Sequence, residues 1–174
     1  MYSNFKRKRN RASNFNYKGA YSYFLTIRTA DKHKYFEEGL VVADIIECLR
    51  READAFHFKV YAYCFMPDHL HLLLVGDYES ELIRFMKMFK QKTSYNYKQK
   101  HGNVLWQKSY YDHIIRQKNK VNEMTAYIFY NPVKSGLVND PKLYPYSGSL
   151  VFDYEAFCDN LDLLANIDPS TLLK

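Results

Sequence analysis

The pattern of apolar and polar positions predicts a regular order of strands and helices. Short segments rich in aromatic and β-branched residues predict strands at 21–29, 56–66, 69–75, near 104–106 and at 110–116. Apolar residues at helical spacing, with capping residues, predict helices at 39–55, about 79–100 and about 119–130. We expect Pro132 to end the last helix, because proline disfavours helix continuation.

This order of elements favours one fold class. A β-α-β-β-α-β-α order predicts an α+β protein with a ferredoxin-like antiparallel sheet and helices packed on one face. Pro67 and Asp68 form a tight turn that makes a hairpin of the second and third strands. We divide the chain into a basic N-terminal arm (1–20), a main domain (21–146) and a C-terminal tail of unknown role (147–174).

The excess positive charge lies at the start of the chain. The net charge is +6, and the first 20 residues carry six basic residues and no acidic one. The rest of the chain therefore has equal numbers of bases and acids. Such an arm indicates a polyanionic partner, either nucleic acid or an anionic membrane surface, or else a solvated start that aids solubility. Arg7, Arg9 and Arg11 are our candidate DNA contacts in the arm.

A second basic stretch lies inside the chain, between Leu82 and Tyr111, and contains no acidic residue. Tyr95 and Trp106 are interleaved with its lysines, and charge combined with aromatic faces suits single-stranded nucleic acid. Lys90 and Lys92 are candidate DNA contacts here. The alternative is a surface helix with a lysine face.

The length and the cysteine positions narrow the class of protein. A chain of 174 residues with 47% hydrophobic residues is typical of one globular domain. Cys48, Cys64 and Cys158 are odd in number and far apart, which predicts reduced thiols and no zinc knuckle. The start resembles no secretory signal and no window reaches the length of a membrane span, so we expect a cytoplasmic location.

Two histidines two residues apart are the sharpest chemical signal. In a strand, His69 and His71 point to one face, while Leu70 and Leu72 point to the other. Two imidazoles this close can supply half of a metal site. Alternatively, they are hydrogen-bonded to each other on a half-buried strand.

Tyr127 and Asn131 lie one turn apart on one side of the last helix. The amide oxygen of Asn131 is a hard ligand suited to Mg²⁺ or Mn²⁺, and a helix C-terminus favours cations. The metal would polarise a phosphate and stabilise a leaving 3′ oxygen, while Tyr127 attacks the phosphorus. The alternative is simple packing, because Tyr127 is one of 17 tyrosines.

Three blocks of the sequence resemble those of the HUH single-strand tyrosine transposases. The segment 66–74 (MPDHLHLLL) resembles their HUH motif and 106–116 (WQKSYYDHIIR) resembles their middle block. The segment 127–138 (YIFYNPVKSGLV) resembles the block that holds their nucleophile. The blocks follow in order between Tyr21 and Tyr146, and the combination is most similar to the REP-associated tyrosine transposases, a bacterial branch.

The resemblance implies a metal-dependent single-stranded DNA endonuclease and transposase domain over 21–146. Such enzymes cleave and rejoin DNA near hairpins through a 5′-phosphotyrosine intermediate with a free 3′-OH. By resemblance, Tyr127 is the nucleophile, and His69, His71 and Asn131 are the ligands of Mg²⁺ or Mn²⁺. The implied partner is hairpin-forming single-stranded DNA, and the implied location is the nucleoid. Some relatives are dimers and others act as monomers, so the oligomeric state stays open.

Two other functions fit parts of the sequence. A ferredoxin-like sheet with exposed tyrosines could bind single-stranded DNA or RNA without cutting it. The glycine-aromatic signature expected of such a module is missing. A nucleotide hydrolase with alternating histidines would need a third histidine where the chain has Leu73, and the chain has no glycine-rich phosphate loop.

Overall fold

The computed structural model describes residues 15–117 and 119–161. Within these residues the strands are β1 (Ser22–Arg28), β2 (Phe58–Met66), β3 (His69–Gly76), β4 (Tyr111–Ile115) and β5 (Ser147–Gly148). The α-helices are α1 (Gly39–Ala55), α2 (Leu82–His101), α3 (Lys120–Lys134) and α4 (Tyr154–Cys158). The arm residues Arg7, Arg9 and Arg11 lie outside the described residues.

The strands form a single antiparallel sheet with the order β4-β1-β3-β2-β5. The chain therefore runs β1-α1-β2-β3-α2-β4-α3, as the sequence pattern predicts. With β1 and β3 in the centre, this is the strand order of a ferredoxin-like sheet. The predicted α+β class and antiparallel sheet are confirmed.

The sheet separates two apolar cores, because alternate residues of a strand point to opposite faces. On one face Leu70, Leu72 and Leu74 pack with residues of α1 and α2. On the other face Phe24 and Leu73 pack with residues of α3. The expectation that helices pack on one face therefore holds for α1 and α2 and is wrong for α3. The sheet presents apolar side chains on its second face as well, and α3 buries them.

The C-terminal end of α3 differs from the sequence expectation. The helix runs through Pro132, so the expectation that this proline ends it is wrong. It ends at a Schellman turn, in which the Leu137 N–H donates to the Pro132 carbonyl and the Gly136 N–H to the Val133 carbonyl, each at 2.9 Å. Gly136 has a φ of 69°, in the left-handed region that favours glycine. The turn that stops the helix is thus made by this glycine.

The short strand expected at 104–106 is reduced to a single bridge between Thr29 and Trp106. The indole of Trp106 is buried, and its Nε1–H donates to the Thr93 hydroxyl at 2.8 Å. Burial of this large side chain, and not a longer strand ladder, holds the segment against the sheet.

The segment that follows residue 146 is part of the core on the α3 side. β5 pairs with the middle of β2. The rings of Phe152 and Phe157 pack edge-on against Phe129 of α3, with centroids 6.4 and 5.6 Å away. As far as Leu161, the C-terminal segment therefore covers the outer side of α3.

The three cysteines, Cys48, Cys64 and Cys158, are buried and free. Burial raises the pKa of the Cys64 thiol to about 12 and that of Cys158 to about 11, which makes both thiols poor nucleophiles at neutral pH. Across the part of the chain that the structure describes, no helix has both the length and the apolar surface needed to cross a membrane.

Candidate active site

His69 and His71 stand at the start of β3, directly after the turn at Pro67 and Asp68. Their side chains leave the face of the sheet that α3 covers, because Leu70, between them in sequence, belongs to the opposite core. His71 is buried, with 8% of its surface exposed. The predicted shared face of the two histidines is therefore present.

A chain of hydrogen bonds runs through both imidazoles. The Nδ1–H of His69 donates to the Asp68 carboxylate at 2.6 Å, and Nδ1 of His71 is bonded to the Thr26 hydroxyl at 3.1 Å. The two Nε2 atoms face each other at 3.1 Å. With both rings neutral, the His71 Nε2–H must donate to His69, and the Thr26 hydroxyl then donates to His71. Each ring is thus held through Nδ1, which leaves Nε2 as the atom directed into the site.

Burial favours the neutral form of His71. Desolvation, followed by the nearby charges of His69 and Arg28, lowers the pKa of His71 to about 3. The ring is therefore uncharged at physiological pH. Neutral imidazole is the form that binds a metal.

The spacing of the two Nε2 atoms fits a divalent cation. Two ligand atoms about 2.1 Å from an octahedral cation, on adjacent positions, lie about 3 Å apart. The Nε2 atoms lie 3.1 Å apart, and the Asp68 carboxylate that accepts from His69 Nδ1–H is an outer partner that metal-binding histidines usually have. To bind a metal through Nε2, His71 would carry its proton on Nδ1 and donate it to the Thr26 hydroxyl. Among residues 15–117 and 119–161, no group of three or more His, Cys, Asp or Glu side chains is arranged to hold a metal. Further ligands would therefore have to be amide, solvent or substrate oxygens.

Tyr127 lies on α3 directly over this site. Its ring packs edge-on against that of His71, with centroids 6.3 Å apart, and against that of Phe24 at 6.0 Å. The ammonium of Lys134 lies 5.2 Å from the centre of the Tyr127 ring. Burial raises the pKa of the Tyr127 hydroxyl, and a hydrogen bond from Asn131 partly offsets this rise. The phenol is half-buried beside the imidazoles and needs assistance to ionise.

Asn131 contacts Tyr127 and is not bonded to the histidines. Its Nδ2–H donates to the Tyr127 carbonyl at 2.7 Å, one turn earlier in α3. Within the described residues, Asn131 makes no hydrogen bond to His69 or His71. The bond to the carbonyl uses the amide nitrogen, so the amide oxygen stays available as a ligand atom.

Tyr130 is a close neighbour of Tyr127 on α3. Helical spacing predicts that Tyr130 points elsewhere, but both rings share the ammonium of Lys134, which lies 5.9 Å from the Tyr130 ring. Of these two rings, Tyr127 is the one that packs against His71. The contact with His71 thus distinguishes Tyr127 from Tyr130. Because both rings adjoin Lys134, Tyr130 is a suitable control for a test of Tyr127 as the nucleophile.

The two internal lysines proposed as DNA contacts lie on α2, across the sheet from the histidines. Lys90 donates to the carbonyls of Gln107 and Lys108, at 2.7 and 3.2 Å. Lys92 forms an ion pair of 2.5 Å with the buried Glu52 of α1. Both ammonium groups therefore have structural partners, and their role in DNA binding stays a prediction.

Three residues next to the site were not singled out from the sequence. Asp68 adjoins His69 in the chain, so its contact could have been anticipated from the turn. Thr26 and Arg28 come from β1, and they reach the site because Thr26 pairs with His71 and Arg28 with His69. That register depends on contacts more than 40 residues apart, which no local pattern encodes.

Comparison with known proteins identifies the family of the chain. The model of the IS200-like transposase family matches residues 17–131. A protein of Haemophilus influenzae, strain Rd, named as a REP-associated tyrosine transposase, is 26% identical over 137 residues, covering 72% of this chain and 77% of its own. A solved structure of a REP-associated tyrosine transposase bound to a REP hairpin shares the fold, with a TM-score of 0.65 and 18% identity over 79% of this chain and 81% of the other. The chain belongs to the IS200-like transposase family, as its resemblance to the REP-associated branch predicts.

Proposed function

We propose that this protein is a single-stranded DNA transposase that cleaves and rejoins DNA near hairpins through a 5′-phosphotyrosine on Tyr127. The observation that carries the proposal is the packing of the Tyr127 ring against His71, itself one of two imidazoles whose Nε2 atoms converge at 3.1 Å. A phenol beside a pair of potential ligands is the arrangement that a tyrosine nucleophile with metal assistance requires.

Each residue of the site has a separate role in this reaction. Tyr127 Oη would attack the scissile phosphorus, form the bond to the 5′ side and release the 3′ oxygen as a free 3′-OH. A Mg²⁺ or Mn²⁺ ion held by His69 and His71, with the Asn131 amide oxygen as a third ligand, would neutralise the phosphate and stabilise that leaving oxygen. The ammonium of Lys134 lies over the Tyr127 ring, 5.2 Å from its centre, and packs there as a cation on an aromatic face. Rejoining is the reverse reaction, with a DNA 3′-OH attacking the phosphotyrosine.

The proposed substrate is single-stranded DNA folded into a hairpin. The solved relative was bound to a REP hairpin, and the basic arm of this chain supplies positive charge for phosphate contacts. An enzyme acting on such chromosomal DNA would work in the cytoplasm, at the nucleoid.

A nicking assay tests this function. The full chain is incubated with an end-labelled single strand that carries a hairpin, with Mn²⁺, with Mg²⁺ or with a chelator, and the products are separated in denaturing detergent. We expect cleavage and a detergent-stable protein–DNA adduct in either metal and neither product in the chelator. Tight binding to the hairpin without any cleavage would instead identify a non-catalytic binding module.

A further inference from the structure

A second surface adjoins the candidate active site on the same face of the sheet. We call it the β4 platform and define it by Arg28, Tyr111 and His113. Tyr111 pairs with Thr26 and His113 with Phe24 across β1. On this face α3 packs mainly on β2 and β3, whereas β4 is at the opposite edge of the sheet from β2. The platform therefore lies beside α3.

The orientation of these side chains follows from strand alternation. On β4, Asp112 points to the opposite face, where it accepts a hydrogen bond of 2.7 Å from the Tyr17 hydroxyl. Ile115 packs in the core on the α3 side. Residues two apart in a strand share a face, so Tyr111 and His113 lie on the same face of β4 as Ile115. That face is the one that α3 covers.

The platform joins an aromatic surface to positive charge. Tyr111 is 41% exposed at the edge of the sheet, and Arg28 is also exposed. Burial, followed by the charges of Lys120 and Arg116, lowers the pKa of His113, and Asp112 partly offsets this shift. The acidic neighbour Asp112 is turned away.

The platform is also within reach of the reacting atoms. Thr26, whose hydroxyl holds His71, is the direct cross-strand partner of Tyr111. Neighbouring strands are about 4.8 Å apart, so Tyr111 on β4 lies about 10 Å from the histidine strand β3. A nucleotide or two spans such a distance. Arg28 pairs with His69 and lies diagonally across from Tyr111.

From this placement we propose that the β4 platform binds the unpaired DNA that leads from the hairpin to the scissile phosphate. Tyr111 stacks on a base, and Arg28 contacts its phosphate. The identity of the ligand as DNA rests on the proposed function. Positive charge with an exposed aromatic ring is the combination by which proteins bind single strands with little sequence preference.

Binding measurements test the platform separately from catalysis. The Kd is measured in chelator, by fluorescence anisotropy, for a hairpin with an unpaired flank and for the same hairpin without it. Loss of base stacking should weaken binding of the flanked hairpin about 5- to 150-fold in Tyr111→Leu, and leave the blunt hairpin unchanged. Tyr111→Phe keeps the aromatic face and should bind as the unmodified chain does.

A matched control comes from the loop between β3 and α2. Tyr78 is 92% exposed there, at the end of β3 that is away from the histidines. Tyr78→Leu should leave both Kd values unchanged. If Tyr78→Leu weakens flanked binding as much as Tyr111→Leu does, the effect is not specific to the platform and the proposal is refuted.

The two proposals fail in different ways. Unchanged flanked binding in Tyr111→Leu, in a chain that still forms the adduct, overturns the platform and leaves the transposase function standing. Flank-dependent binding that needs Tyr111, in a chain that never cleaves DNA, supports the platform and overturns the catalytic proposal.

Discussion

The rings of Tyr127 and His71 pack edge to face, with their centroids 6.3 Å apart, although the two residues come from a helix and a strand more than 50 positions apart in sequence. This contact brings the hydroxyl-bearing ring to the face on which the imidazole pair lies. It exists because α3 lies on the face of the sheet opposite to α1 and α2.

The outer partners of the histidines should control metal affinity. Asp68→Asn removes the charge that holds His69 Nδ1, and Thr26→Val removes the hydroxyl that holds His71 Nδ1. Outer partners of this kind typically contribute about 10- to 100-fold to metal affinity, so we expect each variant to weaken Mn²⁺ binding by that factor. Isothermal titration with Mn²⁺ measures the change. Asp54→Asn, at an exposed position of α1, is the control, and an equal reduction in all three would refute the roles of Asp68 and Thr26.

The metal-free protein should lose stability in acid through His71. Its pKa is about 3 in the folded protein and about 6.5 in the unfolded chain, so protons bind preferentially to the unfolded state. The stabilising contribution is complete above about pH 6.5 and is lost as the pH falls towards 3. Urea unfolding in chelator, at pH 7 and pH 4.5, measures the difference. His71→Gln should reduce this pH dependence and the exposed His33→Gln should not; identical pH dependence in the unmodified chain and His71→Gln would contradict the assignment.

The sequence pattern predicts much of this site, for reasons that are local. Alternation along β3 is enough to place His69 and His71 on one face, and helical spacing is enough to place Asn131 one turn from Tyr127. The hydrogen-bond chain could not be predicted, because it depends on the register that sets Thr26 beside His71.

Other features could not be predicted from the sequence, because they depend on tertiary contacts that override local sequence preferences. Pro132 is accommodated inside α3, and the helix ends only at the turn that Gly136 makes, so α3 runs further than expected. Lys92 looks like a surface lysine, yet it pairs with the buried Glu52 of another helix. β5 is too short to show any periodicity and is defined by its pairing with β2.

The end of α3 should be sensitive at Gly136. A Cβ there meets no atom within 4 Å, but the φ of 69° strains any residue with a side chain. We expect Gly136→Ala to lower the free energy of unfolding by about 1 kcal/mol, as measured by urea denaturation. Gly136→Asn should be less destabilised, because asparagine tolerates this region better. Equal stability of Gly136→Ala and the unmodified chain would mean that the turn does not determine where α3 ends.

The basic arm should contribute to DNA binding through its charge. For a single strand, removing one ionic interaction with a phosphate reduces the steepness of log K against log salt by about 0.7. Deleting residues 2–11, which include Arg7, Arg9 and Arg11, should therefore weaken DNA binding and flatten its salt dependence. Anisotropy titrations over a range of salt concentrations measure both quantities. An unchanged affinity and an unchanged slope would contradict a role of the arm in DNA binding and would favour the alternative, a solvated start that aids solubility.

The central claim is that Tyr127 becomes covalently joined to DNA, and its most direct test is the position of the adduct. The unmodified chain is reacted with a single-stranded hairpin substrate in Mn²⁺, digested with protease and nuclease, and mapped by mass spectrometry. Tyr127→Phe and Tyr130→Phe are treated in parallel, since both rings adjoin Lys134 and only the first packs on His71. The account predicts a nucleotide on Tyr127 in the unmodified chain and in Tyr130→Phe, with no adduct in Tyr127→Phe. An adduct that persists in Tyr127→Phe, or that maps to Tyr130, would contradict it.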